Sequence, residues 1–184
     1  MSIETVTALV LSAMVQLAPP ERAATEKAFP GWSETVEARA ARYAAIAHDV
    51  AEVAESPAEA LRIVAVIHHE SGFAADVDAG QCYRGVDGRS GRCDSGKAVC
   101  LAQLQPMRRK DREAARTDRK ACLRQAVVAI RRSLTMCATN SPEHRYAGLS
   151  GSCSRGLRGS REIYATLRRI TDRPAPTAVK LAER

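Results

Sequence analysis

Near the middle of the chain lies a helix with both ends marked. Ser56-Pro57-Ala58-Glu59 is a capping box with proline at the first helical position, so the first turn has its orphan N–H groups provided for. Gly72 supplies the stop, because glycine takes a left-handed conformation at little cost. Between these ends Ile63, Val66, Ile67 and Glu70 stand at i, i+3, i+4 and i+7 and share one face. A carboxylate thus ends an apolar stripe, and the stripe carries it toward the interior, beside a cleft or under one. Burial disfavours its charge, and the negative end of the helix dipole lies close by. A carboxylic acid kept protonated near neutral pH is what a general acid requires. A charged His68 or His69 would oppose this, and the residues alone do not rank the two effects.

The length of 184 residues suits one domain with short appendages. Aromatics are scarce, with one Trp, two Phe and four Tyr. Closely packed helices are therefore favoured over a β-sandwich, where aromatic and β-branched strands dominate. The expected fold is all-α, with residues 1–32 as an N-terminal helix and linker, 33–172 as the main domain and 173–184 as a frayed tail.

Helical spacing of Ile3, Val6, Val10, Met14 and Leu17 predicts a helix over residues 2–17, ended by Pro19-Pro20. Trp32 reads as a packing anchor. Ser33 is the expected cap of a helix buried along Val36, Ala40, Tyr43, Ala47, Val50 and Ala54. After Gly72 a long irregular stretch, rich in Gly, Asp, Arg, Ser and Cys, runs to about Val99. Loops this long in a compact domain are functional or disordered, and the cysteines argue for stapling. Its aspartates, Asp76, Asp78, Asp87 and Asp94, do not match an EF-hand and read as turn and cap residues. Residues 108–120 form a charged, solvated helix or connector. Leu123, Ala126, Val127, Ile130, Leu134 and Cys137 mark a core helix over 119–138, ended by Asn140-Ser141-Pro142. A glycine- and serine-rich loop follows around Tyr146 and Cys153. Ser160 is the expected cap of a last helix with Ile163, Leu167 and Ile170 inward.

Six cysteines scattered over loops and a helix, with no CxxC, fit disulfides in an oxidising compartment better than a metal site. Cys122 and Cys137 are fifteen positions apart on one helix, about 22 Å along its axis, so they do not pair with each other. Full pairing remains open, with Cys82–Cys93 and Cys137–Cys153 as the short closures to test first. His69-Glu70 fails as a zinc-peptidase motif, since Phe73 stands where the second histidine belongs. No metal or other cofactor is expected, and no nucleophile-elbow signature occurs. The net charge of +7 favours an anionic partner without choosing one. Residues 108–120 are the best nucleic-acid candidate, but no aromatic is interleaved for base stacking, and no nucleic acid is expected. No stretch is long enough to span a membrane. Val6 to Leu17 is apolar enough for a signal core but lacks a positive flank, so the export route stays open.

Glu70-Ser71-Gly72-Phe73, preceded by an apolar helix, resembles the opening motif of soluble lytic transglycosylases, which share the lysozyme-like fold. The family's second motif, Gly-Leu-Met-Gln with a proline shortly after, is similar to Cys100-Leu101-Ala102-Gln103-Leu104-Gln105-Pro106. Its core helix corresponds to Leu123 to Cys137. Its third motif, Tyr-Asn-x-Gly, is similar to Tyr146-Ala147-Gly148, and Ile163-Tyr164 stands where a tyrosine-bearing helix follows. The resemblance covers about residues 33–171. Here Cys100 replaces a glycine, Ala102 a methionine, and the asparagine after the tyrosine is absent.

The resemblance implies cleavage of the β-1,4 bond between N-acetylmuramic acid and N-acetylglucosamine in peptidoglycan. Glu70 would serve as the single acid and base. Ser71 would help position the acid or the substrate, Gln103 would line the saccharide cleft, and Tyr146 would hydrogen-bond near the carboxylate or the sugar. No second carboxylate is required, unlike the usual two-carboxylate glycosidase. Goose-type lysozymes share the frame but hydrolyse, so the outcome stays open. The rival readings are a lysozyme-like module that holds glycan without cutting it, and a basic helical protein that binds nucleic acid. The expected setting is the periplasm or the cell exterior, and the expected state is a monomer.

Overall fold

The computed structural model describes residues 1–23, 34–80, 98–105 and 108–172. The expectations for Trp32, Cys82, Cys93, Asp87, Asp94, Pro106 and the tail 173–184 lie outside these residues. Among the described residues the chain is all-α, with eight α-helices and no strand. In order these are α1 (Ile3–Leu17), α2 (Pro20–Ala23), α3 (Val36–Val53), α4 (Pro57–Ser71), α5 (Ala75–Asp78), α6 (Arg109–Thr117), α7 (Arg119–Met136) and α8 (Leu157–Asp172). Two 3-10 turns, Pro142–His144 and Ala147–Ser150, sit between α7 and α8.

Helix α4 is the hub, packed by α1, α3, α7 and α8. The Ser56 hydroxyl accepts from the Glu59 N–H at 3.2 Å, and Gly72 closes the far end at φ 59°. Both ends are those the sequence marks. The stripe is wider than its spacing indicates, since Ala60, Leu61, Ile63, Val64, Ala65, Val66 and Ile67 are all buried. A helix apolar on every side is one enclosed by others. Each fully buried Ile or Val contributes roughly 1.5–3 kcal/mol relative to exposure. Val10 and Met14 of α1, both fully buried, and Tyr43, Ile46 and Val50 of α3 join the same core.

Several boundaries differ from expectation, each for a local reason. Helix α3 is capped by Thr35, whose hydroxyl accepts from the Ala38 N–H at 3.1 Å, rather than by Ser33. Its buried face runs through Tyr43, Ile46, Ala47, Val50 and Ala51, leaving Ala40 exposed. Asp78 is more than a turn residue. Its two carboxylate oxygens take both Nε and Nη2 of Arg119 at 2.7 Å, while Asp49 takes Nη1 at 2.9 Å. One guanidinium therefore ties α3, α5 and α7 together in a bidentate fork. Lys120 in turn pairs with Glu52. Two cations of the basic run are thus committed to structural ion pairs. Ser160 is not a cap, because α8 starts earlier, after Gly156 turns the chain at φ 69°.

Disulfides join Cys100 to Cys122 and Cys137 to Cys153. The second is one of the two short closures. Both fasten loops to α7, one near its start and one just past its end. Their presence fits an oxidising compartment. Among the described residues no helix is long and apolar enough to cross a membrane.

Candidate active site

Glu70 lies in the last turn of α4, where the enclosed helix emerges into a cleft of about 1070 Å³. That is at the upper end for small-molecule sites and suits an extended ligand. Its carboxyl is pushed up from its ordinary 4.5 to about 7, and burial is the cause. The neighbouring histidine on the inner side does not counter this. Burial first, and then the Arg169 and His69 charges, lower the pKa of His68, favouring its neutral form. Its ring packs against Phe73 with centroids 5.5 Å apart. His69 lines the cleft, with Nδ1 3.4 Å from a Glu162 oxygen on α8.

The chain leaves α4 through two successive left-handed residues, Gly72 at φ 59° and Phe73 at φ 57°. A bulky residue rarely holds that conformation and needs compensation. Here Phe73 is fully buried, its ring meets Tyr43 edge-on at 5.5 Å, and its carbonyl accepts from Arg42 Nη1 at 2.8 Å. Glu34 holds the other side of that guanidinium through two hydrogen bonds of 2.8 and 2.9 Å. The turn beside Glu70 is thereby fixed from α3.

Gln103 and Tyr146 line the same cleft as Glu70. Gln103 sits in a tight turn at φ 47°, where its backbone N–H and its side-chain Nε2 each donate to the Cys100 carbonyl at 3.0 Å. A bridge between Val99 and Leu104 closes the turn, and the Cys100–Cys122 bond anchors it to α7. Tyr146 is buried, which raises its hydroxyl pKa, an effect the Arg62 charge partly opposes. Ser71 is not among the cleft residues. Its hydroxyl donates back to the Ile67 carbonyl at 2.9 Å, a bond satisfied within the helix.

Ser160 positions Tyr146 in a way its sequence context does not reveal. Its buried hydroxyl accepts from the Tyr146 N–H at 2.9 Å and donates to the Glu143 carbonyl at 2.8 Å. Gly148, two residues on, packs so tightly on α7 that a Cβ there would lie 2.7 Å from Ser133 Oγ and 2.9 Å from Ser133 Cα. These contacts explain a buried serine in the first turn of α8 and a glycine in this turn. Gln125, Val128, Ala129 and Arg132, at i, i+3, i+4 and i+7 on α7, form one wall of the cleft, and Asp111 also lines it. Their spacing shows a shared face, but only the tertiary structure shows what that face borders.

His48, Asp49 and Glu52 lie close enough together to suggest a metal centre. They are outside the cleft, and Arg119 and Lys120 already pair with the carboxylates. The arrangement in the cleft is instead one raised carboxylic acid with Gln103 and Tyr146 lining the same space, the equipment for general acid–base chemistry on a polar ligand. No family profile, curated protein or solved structure matches the chain.

Proposed function

We propose that this chain is a lytic transglycosylase, cleaving the β-1,4 bond between N-acetylmuramic acid and N-acetylglucosamine in peptidoglycan strands. The observation that carries the reading is Glu70, pushed to about 7 by burial and opening into a cleft that Gln103 and Tyr146 also line. Near neutral pH such a carboxyl is present in both protonation states, as a group that gives and then takes a proton must be. The protonated acid donates to the glycosidic oxygen as the bond from C1 to that oxygen breaks. The resulting carboxylate removes the proton from the muramic 6-hydroxyl, whose oxygen bonds to C1. The products are a 1,6-anhydro end and a free 4-hydroxyl on the departing sugar, and Glu70 is protonated again. With water in place of the 6-hydroxyl the same steps give hydrolysis and a reducing end. The proposed setting is outside the cytoplasm, as a monomer acting on the cell wall.

Sacculi incubated with purified protein test the reading, with soluble fragments followed by mass spectrometry and Glu70→Gln as control. Anhydro-ended fragments that disappear in the variant support a transglycosylase. Reducing ends would make the chain a hydrolytic muramidase. Binding to sacculi with no fragment released would leave a glycan-holding module and overturn the catalytic assignment.

A further inference from the structure

The cleft is polarised along α7. At one end the Asp111 carbonyl accepts from Gln125 Nε2 at 3.1 Å, and Asp111 lines the space. Seven residues later, about 10 Å along the helix axis, stands Arg132, an exposed side chain and, among the described residues, the one lysine or arginine lining the cleft. Among the described residues Arg132 has no ion pair or hydrogen bond. Its neighbours Arg131 and Arg124, by contrast, are engaged with Glu59 and Asp118. One turn before it on the same wall is Val128, 66 % exposed, a large apolar side chain left bare. Residues at i and i+4 lie about 6 Å apart. The cleft therefore offers an apolar contact and a cation side by side at one end, with an acidic residue at the other.

We propose that Arg132 receives a carboxylate of the bound strand while Val128 covers the apolar group next to it, so that the cleft selects acidic amino-sugar strands over neutral ones and sets their direction. The proposal rests on the saccharide reading of the site. A planar guanidinium binds a carboxylate through two parallel N–H donors, and repulsion from Asp111 disfavours the reversed strand. Two carboxylates in peptidoglycan have this chemistry. One is the lactyl carboxylate of a muramic residue stripped of its peptide, with a methyl group on the adjacent carbon. The other is a free acid of the peptide stem.

The test measures binding by calorimetry in the full chain with Glu70→Gln, which stops cleavage, with and without Arg132→Gln. Three probes are used: neutral N-acetylglucosamine oligomers, peptide-stripped glycan strands and strands with intact stems. Arg132→Gln is expected to weaken binding of acidic probes by about tenfold, the loss of one charge-assisted contact, and of neutral oligomers less than twofold. Arg132→Lys is expected to recover part of the loss. A loss confined to stripped strands assigns the lactyl carboxylate, and a loss confined to stem-bearing strands assigns the peptide acid. Unchanged binding of acidic probes, or an equal loss on all three, overturns the proposal while leaving the saccharide reading in place. If none of the probes binds the Arg132-containing protein, the saccharide reading falls and this proposal with it.

Discussion

Replacing Glu70 by glutamine is expected to stabilise the fold at alkaline pH, and the size of the effect follows from where the carboxyl sits. Its ordinary value is 4.5, and in the fold burial brings it to about 7. Between those values the native protein holds a proton that the unfolded chain has released. Stability therefore falls as pH rises through this window and is constant above it. The gap of about 2.5 pH units, at 1.36 kcal/mol each, sets the total at about 3 kcal/mol. Glutamine keeps the shape and the neutral polarity of the protonated acid but has nothing to lose. Urea unfolding of both proteins from pH 4 to 8, disulfides intact, isolates the effect as a difference. The other carboxylates titrate alike in the two chains and cancel. The variant should match the wild type near pH 4 and exceed it by about 3 kcal/mol at pH 8. A difference that does not change with pH would show that the carboxyl is solvated, and the assignment of Glu70 as a poised acid would be wrong.

The same titration predicts an activity profile. On the proposed reading, glycan cleavage should decline on the alkaline side with an apparent pKa of about 7, read from kcat/KM against pH. Gly148→Ala drives a methyl into the backbone at Ser133, so a loss of about 1–3 kcal/mol in urea unfolding is expected, with reduced cleavage as the Tyr146 turn shifts. Replacing both Cys137 and Cys153 by serine opens a closure of 16 residues, which chain entropy values at about 3 kcal/mol in denaturation midpoints. Glu59 is held below the usual carboxylate range, first by its hydrogen bonds to Arg131. Its stabilisation is complete above pH 4.5 and is lost as pH falls through its folded value. Glu59→Gln should therefore flatten the acid limb of stability below that pH.

Local chemistry made much of this architecture readable. The start and stop of α4 depend on Ser56, Pro57 and Gly72 alone, and those contacts are local in sequence. Glu70 was legible for the same reason, as the last position of a stripe. What stayed hidden depends on pairs far apart in the chain. Nothing near Asp78 announces that Arg119, 41 residues on, will take its carboxylate. Ser160 resembles any helix-start serine, and its role emerges only when the 3-10 turns fold back over α8. Ser71 shows the converse, since its position beside the acid invites a functional role while its hydroxyl is spent on its own helix. Arg132 was one arginine among many until the fold placed it on the cleft wall.

The two cystine links among the described residues have a mechanical consequence for how a ligand enters. Two segments that line the groove, the Gln103 turn and the stretch that begins at Tyr146 and runs to Cys153, are riveted to different ends of α7. Segments pinned this way would resist swinging apart to admit a ligand and clamp it afterwards. On the proposed reading, a long strand would instead be laid in from the open side, into a trough whose dimensions are already set, so that little of the binding energy would go into reshaping the protein.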